Sequence, residues 1–189
     1  MEPSLQNLNK AAITNGLILA AITFVINVVI YYVAPSLMGS TMFGVGIGVI
    51  SLVLYIVFTI DLRKKIGGFW TFRQALKGIF LMAFIAGLTS GILQTLFYKF
   101  VEPQAFDKIW SFVETNLTNT YDKMGMDQDK IDEVIVKVKE NMQAQFNPTI
   151  AQFFKTLAIG ILIEFIMSLI FAAIFKKEQP VFASVQEEE

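Results

Sequence analysis

Four stretches of this chain, Ala11 to Ala34, Leu37 to Ile60, Gly78 to Tyr98 and Thr156 to Phe175, hold a single charged side chain among them, Glu164. A hydrocarbon core about 30 Å thick takes roughly 20 apolar residues at about 1.5 Å of rise each, whereas apolar runs of about 10 to 14 residues mark soluble core helices. The four stretches therefore predict an all-α integral membrane protein, a bundle of four transmembrane helices. Composition agrees, with 54% hydrophobic and 16% charged residues against about 25% charged in an ordinary soluble domain.

Several chemistries are excluded by what the chain lacks. It has no cysteine and no histidine, which removes disulfides, thiolate metal sites, iron-sulfur clusters, thiol catalysis and the usual proton shuttle near neutral pH. Fifteen basic and sixteen acidic residues balance to a net charge of -1, so nucleic acid is not an expected partner. There is also no cofactor fingerprint. The first apolar stretch is about twice the length of a secretory h-region, and Pro35 follows the small Ala34, so it is read as a retained helix and not as a cleaved signal.

The connections orient the chain. Between spans one and two, Pro35 to Thr41 carries no Lys or Arg, whereas Asp61 to Lys77 carries Arg63, Lys64, Lys65, Arg73 and Lys77. Positive residues favour the cytoplasmic side, which predicts a cytoplasmic basic loop, both termini in the cytoplasm, and a bacterial inner-membrane location. Lys176 and Lys177 after the last span agree. In that loop Gly67-Gly68 predicts a turn, and Thr71 with Gln74 a capping box that opens span three. The five basic residues can also hold anionic membrane lipid, although topology alone accounts for them. The expected boundaries are 11–34, 37–60, 72–99 and 149–175 for the spans, with a cytoplasmic tail over 176–189.

The connection over 104–147 is too long for a plain loop and shows two amphipathic patterns. Phe106, Ile109, Trp110, Val113, Leu117 and Tyr121 form one stripe; Ile131, Val134, Ile135, Val138, Met142 and Phe146 form the other. Asp127 is a candidate N-cap, Glu133 and Lys137 an i, i+4 pair, Gly125 a break, and Asn147-Pro148 a stop. An extracytoplasmic helical hairpin is expected, its stripes packing on each other or lying on the outer leaflet. Asn116-Leu117-Thr118 is taken as a chance match to the glycosylation pattern.

Within the bilayer, small residues four apart mark close helix packing. Gly44 and Gly48 lie in span two, Ala83, Gly87 and Gly91 in span three, and Gly160, Ser168 and Ala172 in span four. Glu164 is in register with the last ladder, so it points toward a neighbouring helix. A carboxylate near mid-membrane costs about 2.5 to 3.5 kcal/mol on insertion scales, and no span supplies a cation, so the side chain is expected to be uncharged for much of the time. Asn27, Ser51, Thr89 and Ser90 fall near its level, which predicts an intramembrane polar cluster. Two roles are open: a hydrogen-bonded acid that fixes helix register, or a proton- or cation-coupled site.

The segment Gly67-Gly68-Phe69-Trp70-Thr71-Phe72-Arg73-Gln74-Ala75-Leu76-Lys77 resembles the bacterial domain of unknown function 4199 family, as do Phe97-Tyr98-Lys99-Phe100 with Pro103, and Lys123-Met124-Gly125 ahead of an acidic amphipathic helix. The resemblance covers nearly the whole chain. It implies a small integral membrane protein with four helices and no assigned activity, and it assigns no role to Glu164.

Three function classes follow. The expected one is a non-enzymatic membrane component that binds another membrane protein, or a second copy of itself, through its ladders or external helices. The alternative is a subunit of a small transporter or channel that uses Glu164. An enzyme is not expected, because Glu102, Asp107, Glu114, Asp127 and Asp129 show no metal-ligand or paired-acid spacing.

Overall fold

A computed structural model describes residues 3–179, with side chains from residue 7 onward. The last ten residues of the expected tail lie outside the described residues. Six α-helices appear in chain order: α1 (Pro3–Val33), α2 (Thr41–Lys65), α3 (Phe72–Leu96), α4 (Ala105–Lys123), α5 (Gln128–Phe146) and α6 (Ile150–Phe175). A 3-10 turn over Pro35–Gly39 follows α1 and a π turn over Phe97–Val101 extends α3. No strand occurs among the described residues. Four segments are long and apolar enough to cross a membrane: Asn7–Val33, Thr41–Lys65, Phe72–Val101 and Ile150–Phe175.

The second span runs from Thr41 to Lys65, where hydropathy placed it over 37–60. Both shifts have local causes. Ala34, at φ -147° and ψ 60°, leaves the helical region before Pro35, as steric contact with a following proline ring favours. The apolar Leu37 and Met38 then belong to the 3-10 turn. At the other end, Lys65 pairs with Asp61 at 2.7 Å one turn back, and Arg63, Lys64 and Lys65 occupy the last turn, where cations suit the helix dipole. The charged stretch expected as loop is thus helix, and the connection to α3 shortens.

The ends of that connection are set by glycine and threonine. Gly67 and Gly68 have φ +102° and +82°, and their N–H groups donate to Lys64 and Arg63 carbonyls at 3.1 and 2.9 Å, the Schellman closure that favours glycine at these positions. Thr71 then caps α3: its N–H donates to Gln74 Oε1 at 2.9 Å while the Gln74 N–H donates to Thr71 Oγ1 at 3.3 Å. The same box opens α6 through Thr149 and Gln152. α4 closes as α2 does, with Gly125 at φ +71° and the Gly125 and Met126 N–H groups donating to Asp122 and Tyr121.

The chain divides into two compact units. The first comprises the described parts of Met1–Ala20, Val53–Thr89 and Ile159–Glu189. Leu8, Ala12, Asn15 and Leu19 recur at helical spacing on α1 and are all buried, and Leu8 and Ala12 pack with Leu62, Ala75, Ile79, Met82, Phe171 and Ala172. Contact between α1 and α3 is close: a Cβ added at Gly16 would lie 2.7 Å from the Met82 carbonyl oxygen. Trp70 closes the unit. Its N–H donates to the Lys177 carbonyl at 2.8 Å, it accepts from the Lys177 N–H at 3.1 Å, and its Nε1 donates to the Phe175 carbonyl at 2.7 Å. Arg63 donates to the same carbonyl at 3.3 Å, so carbonyls left without intrahelical partners at the end of α6 are satisfied.

The second unit comprises Ala21–Leu52 and Ser90–Ala158. Its core is aromatic, with Tyr31, Phe97, Tyr98, Ala105 and Ile109 surrounded by Phe24, Val28, Met38, Val113, Met142 and Phe146. Phe97 meets Phe24 and Tyr31 edge-on at 6.0 and 5.7 Å, the arrangement that ring quadrupoles favour. α4 packs on α5 and on the 3-10 turn, where a Cβ on Gly39 would come within 2.9 Å of the α4 backbone at Phe112 and Val113. All twelve residues of the two amphipathic stripes are buried or half-buried.

Candidate functional site

Glu164 stands two turns before the close-packed end of α6, and its Oε1 occupies the space that a side chain on Gly87 of α3 would need. The lack of a Cβ is what lets the carboxyl lie against the α3 backbone. Phe165, the next residue, meets Phe80 of α3 edge-on at 5.6 Å and holds the two helices at this level. On α2, Tyr55 lies within electrostatic reach of the same acid. Its ring is fixed by Phe171 at 4.7 Å, and its hydroxyl points to the Ile79 carbonyl at 3.5 Å. Ser168, one turn after Glu164, is fully buried. Glu164 itself is half-buried and Gly87 exposed, so the carboxyl is enclosed on the helix side and open on the other.

The expected polar cluster is distributed over both units. Glu164 and the half-buried Thr89 belong to the first; Asn27, Ser51 and Ser90 belong to the second. In the second unit Thr23 joins two of them: its Oγ1 lies 3.3 Å from Ser90 Oγ, and its carbonyl accepts from Asn27 Nδ2 at 2.9 Å. Ser51 is half-buried. Neither Thr23 nor Tyr55 was singled out from sequence, although Thr23 and Asn27 stand at i, i+4.

A second polar site was not anticipated. Asn15 is fully buried on α1, donates through Nδ2 to the Phe58 carbonyl at 3.2 Å and to Asp61 Oδ2 at 2.9 Å, and accepts from Lys65 Nζ at 2.7 Å. With the Asp61–Lys65 pair this closes a ring of three side chains. Two of the five basic residues expected in a loop therefore bond to another helix, the exposed Lys65 here and Arg63 at the α6 carboxyl end. The usable signal was an asparagine in register with Leu8, Ala12 and Leu19.

A family model described as "Protein of unknown function (DUF4199)" matches residues 14–177. The chain belongs to the DUF4199 family. No curated protein and no solved structure matches it. The match takes in Glu164, the Asn15 ring and the Gly67–Lys77 segment, whose Trp70 and Thr71 do identifiable work in this DUF4199 chain by closing α6 and opening α3.

The small-residue ladders of the DUF4199 chain divide into covered and bare positions. Ala83 and Ala172 are buried and Gly87 is covered by Glu164. A Cβ added at Gly44, Gly48, Gly91 or Gly160 would meet nothing within 4 Å. In the second unit, Glu102 accepts from the hydroxyls of Tyr31 at 3.0 Å and Tyr32 at 2.6 Å, and Lys108 lies 4.4 Å from the Tyr31 ring centre. These donors, Tyr32 first, hold the Glu102 carboxyl below its usual pKa range. Farther along, Lys137 donates to Glu133.

Proposed function

We propose that this DUF4199 protein is a non-enzymatic component of the bacterial inner membrane that binds a transmembrane helix of another membrane protein along α2. In this reading both termini face the cytoplasm, and α4 and α5 form a helical hairpin on the outside. The basic residues at the end of α2 and the start of α3 support that orientation.

The observation that carries the reading is the bare ladder of α2. Gly44 and Gly48 share one helix face, and a Cβ added at either would meet no atom of another element within 4 Å among the described residues. Lipid tails are as apolar as leucine, so helices in a bilayer associate through close approach at small residues. A glycine pair facing lipid gains nothing from its smallness; against a partner helix it permits backbone contact. A second reading, a subunit of a small transporter or channel, draws on the Glu164 carboxyl beside Gly87.

The test is affinity purification of the full chain from its native membrane, comparing wild type with a G44I/G48I double variant and with V45L on a neighbouring face. The expected result is a membrane protein that co-purifies with wild type and V45L and is lost from the glycine variant while the chain still inserts. Recovery of an untagged copy of this chain alone would make the partner a second copy. Equal recovery of companions with all three proteins would contradict the proposal.

A further inference from the structure

The surroundings of Glu164 give its carboxyl a seat without a counter-ion. Within the first unit its carboxyl lies against the bare backbone of Gly87 on α3, and Tyr55 on α2 is within electrostatic reach. The nearest charged residue along α2 is Asp61, six residues past Tyr55 or about 9 Å of rise, and its carboxylate is taken by Lys65 and Asn15. Arg63 is engaged at the Phe175 carbonyl. On α3 the nearest is Lys77, ten residues before Gly87 or about 15 Å. On α6 itself Lys155 stands nine residues back, on the opposite side of a helix with 3.6 residues per turn. An acid built for an ion pair would have a cation at this level.

A structural acid would instead be sealed and saturated with hydrogen bonds, because an unsatisfied buried polar group is costly. Glu164 is only half-buried, its neighbour Gly87 is exposed, and the preceding Ile163 is exposed as well. The group is therefore not sealed within the first unit, and Gly87 lets the carboxyl lie close to the α3 backbone.

We propose that Glu164, seated against Gly87, is an intramembrane proton-binding site. Uptake joins one proton from water to the carboxylate to give the neutral carboxylic acid, and release returns it. The assignment is independent of whether a partner helix covers α2.

The experiment uses full-length protein in liposomes treated with dicyclohexylcarbodiimide, an apolar reagent that adds to protonated carboxyl groups in hydrocarbon surroundings. Peptide mapping should find the adduct at Glu164 in wild type, no adduct in E164Q, and restored labelling in E164D. On the alkaline side of the midpoint the labelling rate should fall about tenfold per pH unit, as the neutral fraction does. G87A, whose new methyl group collides with the carboxyl, should change the rate. Should E164Q fail to accumulate, the mapped wild-type adduct and its pH profile still decide. Absence of an adduct at Glu164, a rate that does not depend on pH, or protection by sodium ions at fixed pH would overturn the assignment, the last in favour of a metal cation. An unchanged rate in G87A would overturn the seat.

Discussion

At the scale of single residues, the first unit depends on a buried amide that uses both its donor group and its acceptor. Asn15 ties α1 to the α2 backbone at Phe58 and to the Asp61–Lys65 pair. Truncation removes the hydrogen bonds that tie α1 to α2 at Phe58, Asp61 and Lys65, each worth about 0.5 to 1.5 kcal/mol net. N15A should therefore lower the thermal midpoint of the detergent-solubilised protein, whereas K64A, whose side chain is exposed, should leave it unchanged. Equal midpoints for N15A and wild type would remove Asn15 from this role. The ring was hidden in the sequence because its members stand up to 50 residues apart, and nothing in a linear pattern says which face of α1 meets which face of α2. Glu164 was legible as an anomaly in an apolar run. That its carboxyl lies on Gly87 depends on the rotation of two helices about their axes, which hydropathy does not encode.

At the scale of elements, local chemistry was legible where it is written in neighbouring residues. Thr71 and Gln74 cap α3 and Gly125 ends α4 as their spacing predicts, the two amphipathic stripes lie on the helices α4 and α5, and the Thr149–Gln152 box follows the same rule as Thr71 and Gln74. The limits of α2 were misjudged because hydropathy cannot distinguish a 3-10 turn from the start of a helix, and because charge was read as loop where an i, i+4 pair prolongs the helix. Another junction between elements makes a pH prediction. Tyr31 and Tyr32 at the end of α1 both donate to Glu102, which follows the π turn. These bonds favour the ionised form and lower its pKa, so their contribution is complete above the ordinary carboxyl range and is lost as pH falls through the lowered value. The difference in thermal midpoint between wild type and E102Q should be largest near neutrality and shrink on acidification. A difference that does not vary with pH would show that the carboxylate is not what the tyrosines hold.

At the scale of the molecule, four helices are long and apolar enough to cross a bilayer, and the proposed topology puts α4 and α5 outside and the α2–α3 connection in the cytoplasm. Number, length and apolar content of the spans were plain in the sequence, because each is a sum over some twenty residues and insensitive to any one of them. The division into two units was not, since it depends on which stretches of the long helices pack together. Sidedness is the property from which the basic residues flanking the α2–α3 connection, the proposed outer hairpin and the proposed proton access to Glu164 all take their meaning. It is tested most directly by single cysteines in a chain that has none of its own, placed by K130C in α5 and by K64C near the end of α2, and exposed in intact cells to a thiol reagent that cannot cross the membrane. The account predicts that K130C reacts in intact cells and K64C reacts only after the membrane is opened; the reverse pattern, or reaction of both in intact cells, would contradict it.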